Sequence, residues 1–306
     1  MRDANWIGRE LRAKDRTKLV DLLEAAHRSE SLFVKAAFAR DTRWESREDG
    51  DAKTIVTGEG WWYGVLRDGT KLEAVMFAEN HQAVVYASSE ESARAFAAEY
   101  YAMQKRMGPS IQTFRHQIMG ESKMMNFIWP TLKEIPGRRL VFDKDCELLR
   151  ADPETAVAAP SSRAEVVVAT RSDERAVSDF IAELRIEQLG IDPRKIGRDV
   201  HIQRISDAIG EGRALLGKEK DTGRPYFCAE LVPLDDQTAS LNDVYVPPHY
   251  RSRGKLVAQA FWGAARHPLE GGRELVYLAS DPTFANAGKA AGFKSLARYR
   301  WTVTHG

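Results

Sequence analysis

The sequence predicts an α/β (α+β) fold with two successive mixed β-sheets, each flanked by helices. Helix and strand signals alternate along both halves of the chain, as they do in such layered folds. The length of 306 residues suggests two domains. A segment rich in Ala, Pro and Ser, residues 151–163, divides the chain near its midpoint. We therefore predict domains at 1–150 and 164–306, joined by a linker at 151–163.

The first half is predicted to alternate between helices and strands. Asp68-Gly69 is a strong hairpin signal between two apolar runs, and Ser88 begins a helix with capping residues. In order, we expect a helix at 10–28, strands at 61–67, 71–78 and 82–87, a helix from Ser88 to Met107, a strand at 111–118, a helix at 121–133 and a strand at 139–149.

The second half has the same kind of order. Apolar residues at helical spacing follow Gly254, and the strand-like runs are bounded by turn signals. We expect a strand at 165–170, helices at 172–190 and 198–210, strands at 213–218, 225–233 and 239–246, a helix from Gly254 to the glycines at 271 and 272, and a strand at 274–279.

Composition argues against nucleic-acid-binding, disulfide-rich, metal-binding, secreted and membrane proteins. The net charge of +1 predicts no nucleic-acid partner. The only cysteines, Cys146 and Cys228, do not form a disulfide framework, and no Cys/His cluster has the spacing of a metal site. The N-terminus lacks the apolar core of a signal peptide, and no apolar run approaches the roughly 18 residues needed to span a bilayer. We expect a soluble cytoplasmic protein with no membrane partner and no metal.

The segment 244–256 is the strongest functional signal. We predict a strand that ends at Pro247-Pro248, then a basic turn, and then a helix that begins near Gly254. The first amide groups of a helix lack intrahelical partners and favour negative charge. Gly254 allows a phosphate to approach the backbone, and Arg251, Arg253 and Lys255 add positive charge. A plain basic turn is the alternative for such a short motif.

Together with later residues, this loop resembles the GNAT family of acetyl-CoA-dependent N-acetyltransferases. Residues 251–256 resemble the pyrophosphate loop of that family, and Asn286 with Gly292-Phe293 resembles its late Asn…Gly-Phe motif. The resemblance covers about residues 164–303. The whole chain resembles a bacterial subgroup in which an uncharacterised N-terminal domain precedes such an acetyltransferase domain.

The resemblance implies acetyl-CoA as co-substrate, an amine acceptor as partner, and tandem GNAT-like sheets of which the N-terminal copy is degenerate. A homodimer is possible. The strand end before the loop is expected to offer its backbone to the pantetheine arm. The implied cofactor-binding residues are Val244, Tyr245, Val246, Arg251, Ser252, Arg253, Gly254, Lys255, Leu256 and Asn286.

Glu230, Asp243 and Tyr245 are the predicted catalytic residues. Glu230 lies in an otherwise apolar strand, where burial would raise its pKa and suit it to accept a proton; a solvated glutamate is the alternative. Asp243 shares its face of the next strand with Tyr245. Glu187, near the end of a helix, could also reach an amine, although such glutamates are more often only solvated.

The sequence departs from the family in three places. Gly288 stands where many members have a thiolate-protonating tyrosine, and Leu256 where they prefer Gly or Ala. In the first half, Glu90 and Glu91 occupy the position of the phosphate loop and would repel phosphates. We expect the first half not to bind CoA.

The predicted function is N-acetyl transfer from acetyl-CoA to a primary amine of a small molecule or protein, by direct attack in a ternary complex. The missing tyrosine favours an alternative, a non-catalytic acyl-CoA-binding regulatory module. A nucleotide-binding protein is a further alternative, but neither Gly-x-x-x-x-Gly-Lys-Ser/Thr nor Gly-x-Gly-x-x-Gly is present.

Overall fold

The computed structural model describes residues 5–41, 60–79, 82–107, 116–135, 139–151 and 164–305. The chain divides into two compact units. The first unit comprises residues 1–146 and 297–306, and the second comprises residues 147–296. Each unit is a mixed β-sheet with flanking helices, so the predicted α/β fold class is confirmed.

The first unit begins with a strand and two helices. The helix predicted at 10–28 is wrong in extent, because the extended backbone of Ala26 (ψ 138°) separates two helices there. The elements of this unit are β1 (Trp6–Glu10), α1 (Arg16–Ala25), α2 (Arg28–Arg40), β2 (Trp61–Arg67), β3 (Lys71–Glu79), β4 (Gln82–Ala87), α3 (Glu90–Met107), β5 (His116–Glu121), α4 (Ser122–Leu132) and the start of β6 (Arg139–Ala151). Of the strand predicted at 111–118, residues 111–115 lie outside the described residues.

The strand β12 (Lys294–His305) completes the sheet of the first unit. The strand order there is β1-β2-β3-β4-β5-β12, and among these described strands only β4 and β5 run parallel. Pairing of β12 with β5 runs from Tyr299↔Glu121 to Thr304↔His116. Tyr299 is 2% exposed, and its Oη donates a hydrogen bond to Ser29 O at 2.7 Å. The contacts therefore group residues 297–306 with the first unit, whereas the sequence grouped them with the second domain.

The second unit contains the loop singled out in the sequence. Its elements are β7 (Ala164–Val168), α5 (Glu174–Leu189), α6 (Arg198–Gly210), β8 (Ala214–Glu219), β9 (Pro225–Pro233), β10 (Thr238–Tyr245), α7 (Pro248–Arg251), α8 (Gly254–Glu270), β11 (Glu274–Ala279) and α9 (Pro282–Ala290). The strand order is β6-β11-β10-β9-β8-β7, with β10 and β11 parallel. Residues 152–163 lie outside the described residues, and Ala151 belongs to β6, so the predicted linker stays a prediction.

The helix α8 is anchored by the core of the second unit. Phe261 on this helix is fully buried, and its ring centroid lies 5.0 Å from that of Tyr277 and 6.0 Å from those of Phe227 and Phe293. Aromatic side chains bury large apolar areas in such clusters. The packing fixes the start of α8 just beyond the end of β10. Among the described residues, no helix has the length and apolar character to cross a bilayer.

We expect Tyr299→Ala to destabilise the first unit, because this change removes a buried ring from the strand that completes its sheet. Truncating a buried aromatic side chain lowers the free energy of unfolding by about 3–5 kcal/mol. Denaturant unfolding followed by circular dichroism measures the change. Arg298→Ala, at the neighbouring exposed position, is the matched control; equal stability of the two variants would contradict the structural role of β12.

Candidate functional site

The strand β10 separates from its parallel neighbour before it ends. Pairing with β11 stops at Leu241↔Tyr277, although β10 continues to Tyr245. At the same point, the register with β9 shifts, and Asp243 adopts a left-handed backbone conformation with φ of 49°. This arrangement is a β-bulge, which bends the strand and ends regular pairing. Residues 244–246 therefore lie beyond the pairing with β11, where their backbone can serve an extended ligand.

The helix α8 begins beside this strand end with an open first turn. No side chain caps it, and Arg253 occupies the N-cap position. Ser252, Gly254 and Lys255 are exposed, and Leu256 is half-buried against the core. A Cβ placed on Gly254 would meet no atom within 4 Å. The free amides, the helix dipole and the nearby cations together suit an anion such as a pyrophosphate.

The helix α3 of the first unit begins in a different way. Ser89 Oγ accepts a hydrogen bond from Ser92 N at 3.1 Å, and Ser92 Oγ accepts one from Ser89 N at 3.0 Å. Its first turn also carries Glu90 and Glu91. Reciprocal capping occupies amide groups that could otherwise hold an anion, and the two carboxylates repel one. The start of α3 therefore lacks the features that make the start of α8 suitable.

Arg251 does not extend into solvent as a free cation. Its Nε donates to Val246 O at 2.8 Å, and its Nη2 donates to Glu187 Oε2 at 2.6 Å. The guanidinium also lies 5.6 Å from the centroid of the Tyr245 ring. Arg251 thus braces the strand end against α5. Arg253, whose side chain is 57% exposed, donates to Glu219 Oε1 at 3.4 Å.

Glu230 and Asp243, both predicted as catalytic carboxylates, lie in one cluster of ion pairs. Arg185 Nη2 donates to Asp243 Oδ1 at 2.9 Å, and Arg204 Nη2 donates to Asp243 Oδ2. Arg204 Nη2 also donates to Glu230 Oε2 at 2.9 Å, and Arg213 Nη1 donates to Glu230 Oε1. Each carboxylate side chain is only 11% exposed. The sequence left a buried and a solvated Glu230 as alternatives; the structure has it buried, paired with two guanidinium groups that were not predicted.

The ion pairs set the protonation state of Asp243. Burial raises the pKa of this carboxyl group, but the charges and hydrogen bonds of Arg185 and Arg204 outweigh burial and lower its pKa below the usual range. Asp243 is therefore ionised at neutral pH and accepts a further proton poorly. A carboxylate held in this way is suited to structural work more than to proton transfer.

Buried Tyr245 and the partly exposed Glu187 form a second pair. Tyr245 Oη donates to Glu187 Oε1 at 3.4 Å, and Phe180 packs against the tyrosine with ring centroids 5.5 Å apart. Burial, followed by the charge of Glu187, raises the pKa of Tyr245 to about 12. The phenol is therefore protonated at neutral pH and can donate a proton. The side chain of Glu187 is 37% exposed, so solvent reaches it.

The late motif lies on α9. Asn286 is exposed on this helix, and Gly288 is buried. A Cβ on Gly288 would lie 2.9 Å from Leu149 Cδ1, so this position is packed against β6. A tyrosine there would have to displace Leu149. The absence of the tyrosine from the sequence is thus matched by close packing at this position.

Sequence reasoning missed the three arginines that pair with Glu230 and Asp243. A carboxylate in an apolar strand does predict a buried cationic partner. Nothing in the sequence indicates that Arg185 comes from α5, Arg204 from α6 and Arg213 from the residue before β8, because these contacts depend on how the helices cross the sheet. Within the part of the chain that the structure describes, no cluster of His, Cys, Asp and Glu is arranged to hold a metal ion.

Comparison with known proteins identifies the fold. No protein-family model matches the chain, and no curated protein does. A Drosophila protein solved by a structural genomics consortium aligns with a TM-score of 0.62 and 12% identity over 98% of both chains. A GCN5-related N-acetyltransferase from Sphaerobacter thermophilus aligns with a TM-score of 0.57 and 16% identity, over 98% of this chain and 95% of that one. A tandem GNAT protein from the clavulanic acid biosynthesis pathway aligns with a TM-score of 0.50 and 14% identity over 99% of both chains.

These likenesses extend over nearly the whole chain, so the fold is that of the tandem GNAT proteins. The predicted resemblance is confirmed at the level of the fold. Identities of 14–16% leave the substrates and the chemistry to be argued from this chain's own residues.

Asp243→Asn should make stability less dependent on pH. The folded pKa of Asp243 is lowered, so its contribution is present above the unfolded value, about 3.9, and is lost as the pH falls through the folded value. At neutral pH, breaking the pair should cost about 3 kcal/mol. The difference between wild type and variant, measured by urea unfolding, should shrink below about pH 4. Asp236→Asn, at an exposed position, is the control; a difference that stays constant down to strongly acidic pH would contradict the assignment.

Proposed function

We propose that this protein transfers an acetyl group from acetyl-CoA to a primary amine of a small molecule or protein, by direct attack in a ternary complex. The observation that carries the proposal is the coincidence of two features in the second unit. A strand end that has left its parallel neighbour lies beside a helix whose first turn is open and basic. Together they suit an extended arm with an anionic group at one end.

The residues that would hold acetyl-CoA fall into two groups. Backbone groups at Val244, Tyr245 and Val246 would pair with the pantetheine arm. The amides at Gly254 and Lys255, with the exposed cation of Arg253, would hold the pyrophosphate. Ser252, Leu256 and Asn286 complete the proposed set, and Arg251 supports it from the side through Val246 and Glu187.

The transfer step needs a proton acceptor for the amine and a proton donor for the leaving thiolate. Tyr245 suits the donor role, because its pKa of about 12 keeps the phenol protonated. Among the three carboxylates considered from the sequence, Glu187 has the most exposed side chain and hydrogen bonds with a single arginine and Tyr245. It can therefore pass a proton to solvent. We assign the acceptor role to Glu187 and not to Glu230 or Asp243, each of which hydrogen bonds with two arginines.

The acetyl group supplies the electrophilic carbon when acetyl-CoA is bound, and the protein's task is to bring the amine to it. Holding two reactants in place supplies a large part of the rate of such reactions. A backbone N–H at the end of β10 can serve the developing oxyanion. Binding and positioning therefore rest on main-chain groups, and proton transfer rests on Tyr245 and Glu187.

A non-catalytic acyl-CoA-binding module is the second candidate, and the packing of Gly288 against Leu149 favours it. Both candidates require acetyl-CoA binding, but only the enzyme releases thiol. Incubation with acetyl-CoA and a panel of primary amines, followed by a thiol assay, separates them. Tight binding without thiol release above the rate of hydrolysis would favour the binding module.

Gly254→Glu should abolish acetyl-CoA binding and leave the fold intact. The position is open to solvent, and an acidic residue in the first turn of a helix is compatible with its dipole. A carboxylate there would oppose the phosphates at a cost of several kcal/mol, which corresponds to at least about 100-fold in Kd. Isothermal calorimetry measures the affinity, and circular dichroism checks the fold. Gly210→Glu, at an equally open glycine on α6, is the control; unchanged affinity in Gly254→Glu would place the pyrophosphate elsewhere.

Glu187→Gln should slow turnover about 100-fold or more, because loss of a proton acceptor removes general-base catalysis. Because Glu187 also accepts from Arg251, which braces the strand end, the turnover rates are compared at saturating acetyl-CoA. The measurement uses an amine from the panel that gives turnover. Glu183→Gln, one turn earlier on the same helix, is the control. A turnover rate near that of wild type in Glu187→Gln would reject Glu187 as the proton acceptor.

A further inference from the structure

The bulge in β10 requires a residue that adopts an unfavourable backbone conformation. Asp243 has φ of 49°, and Asp68 is the only other non-glycine residue with positive φ in the described ranges. Asp68 lies in the hairpin turn between β2 and β3, where such a conformation is common. Asp243 lies within a strand, where regular pairing would otherwise be preferred. Something must therefore hold Asp243 in place.

The restraint comes from both helices that pack on this part of the sheet. Arg185 on α5 donates to both carboxylate oxygens of Asp243, at 2.9 and 3.2 Å. Arg204 on α6 donates to the same side chain. Two charge-assisted contacts from two directions fix the carboxylate far better than one contact would.

The restraint continues to the neighbouring strand. Glu230 on β9 lies opposite Asn242, the residue before Asp243, in the strand register. Arg204 donates to Glu230 at 2.9 Å as well as to Asp243, so one guanidinium bridges β9 and β10 at the bulge. Arg213, the residue before β8, donates to Glu230, and Glu211 accepts from Arg213 at 2.6 Å. The cluster thus ties together the elements that surround the bulge.

We propose that Arg185, Arg204, Arg213, Glu230 and Asp243 form an ionic clamp that positions the end of β10 for acetyl-CoA. The inference rests on the proposed function, because it assigns the clamp to the strand end that would pair with the pantetheine arm. Asp243 and Glu230 are then positioning residues that act through the backbone of 244–246. They do not exchange protons with the amine.

Asp243→Asn tests the clamp with little change in shape. Asparagine tolerates a positive φ as aspartate does. The substitution therefore removes the negative charge but leaves the backbone conformation at position 243 accessible. We expect the Kd for acetyl-CoA to rise about 10-fold, a loss on the scale of one charge-assisted hydrogen bond. Amide hydrogen exchange at residues 244–246 should become faster. Glu230→Gln should shift both readouts in the same direction, and Asp236→Asn should shift neither.

A double-mutant cycle of Asp243→Asn with Arg185→Gln adds a test of coupling. If both residues act through the same contact, the double variant should bind acetyl-CoA no more weakly than the weaker single variant. Additive losses would overturn the clamp. So would an unchanged Kd with unchanged amide exchange in Asp243→Asn.

Two further outcomes separate the clamp from other roles. Suppose that Asp243→Asn slows turnover about 100-fold or more and abolishes the pH dependence of the rate, while the Kd for acetyl-CoA stays unchanged. Asp243 would then be a proton-transfer group, and the clamp would be overturned. If the wild-type protein binds no acetyl-CoA, the proposed function fails. Amide exchange at 244–246 would then still decide whether the five residues restrain the strand end, because that measurement needs no ligand.

Discussion

The geometry of the candidate site depends on one interruption of regular β-pairing. A strand that is fully paired on both sides cannot hydrogen bond with a ligand through its backbone, because its amides and carbonyls are already paired. In β10 the pairing with β11 ends at Leu241, and the bulge at Asp243 turns the remaining residues away from the regular ladder. The strand end, the start of α8 and the bracing by Arg251 all follow from this departure.

The electrostatics around the bulge show how a protein can use buried charge for shape. Ion pairs removed from water contribute little net stability, because desolvation opposes their attraction. Such ion pairs can fix the relative positions of the segments that carry them, because leaving either buried partner unpaired costs free energy. In this chain three guanidinium groups and two carboxylates meet where a strand departs from ideal geometry. Their spatial arrangement fits that use better than a role in net stabilisation.

Much of the second unit could be predicted from the sequence, and the reasons are local. Gly254 and its basic neighbours mark the start of a helix, and the apolar spacing after them gives its buried face. Contacts between distant segments could not be predicted. The arginines that hold Asp243 and Glu230 lie on three different segments. Asn242-Asp243 is compatible with a positive φ, but this pair alone does not predict a bulge within a strand. In the first unit, the helix predicted at 10–28 ended near the break at Ala26, and the helix α2 that follows was not predicted.

The position of β12 has a consequence for how the protein is made. Thr302 Oγ1 donates to Ile118 O across a separation of 184 residues, and this contact lies inside the first unit. Domains generally fold in order as they leave the ribosome. Here the sheet of the first unit includes β12, which is translated after the second unit. The edge of that sheet at β5 therefore stays unpaired until β12 has been synthesised. An uncovered strand edge can pair with other chains. A stop codon just before β12 would therefore damage the half of the protein that was translated first.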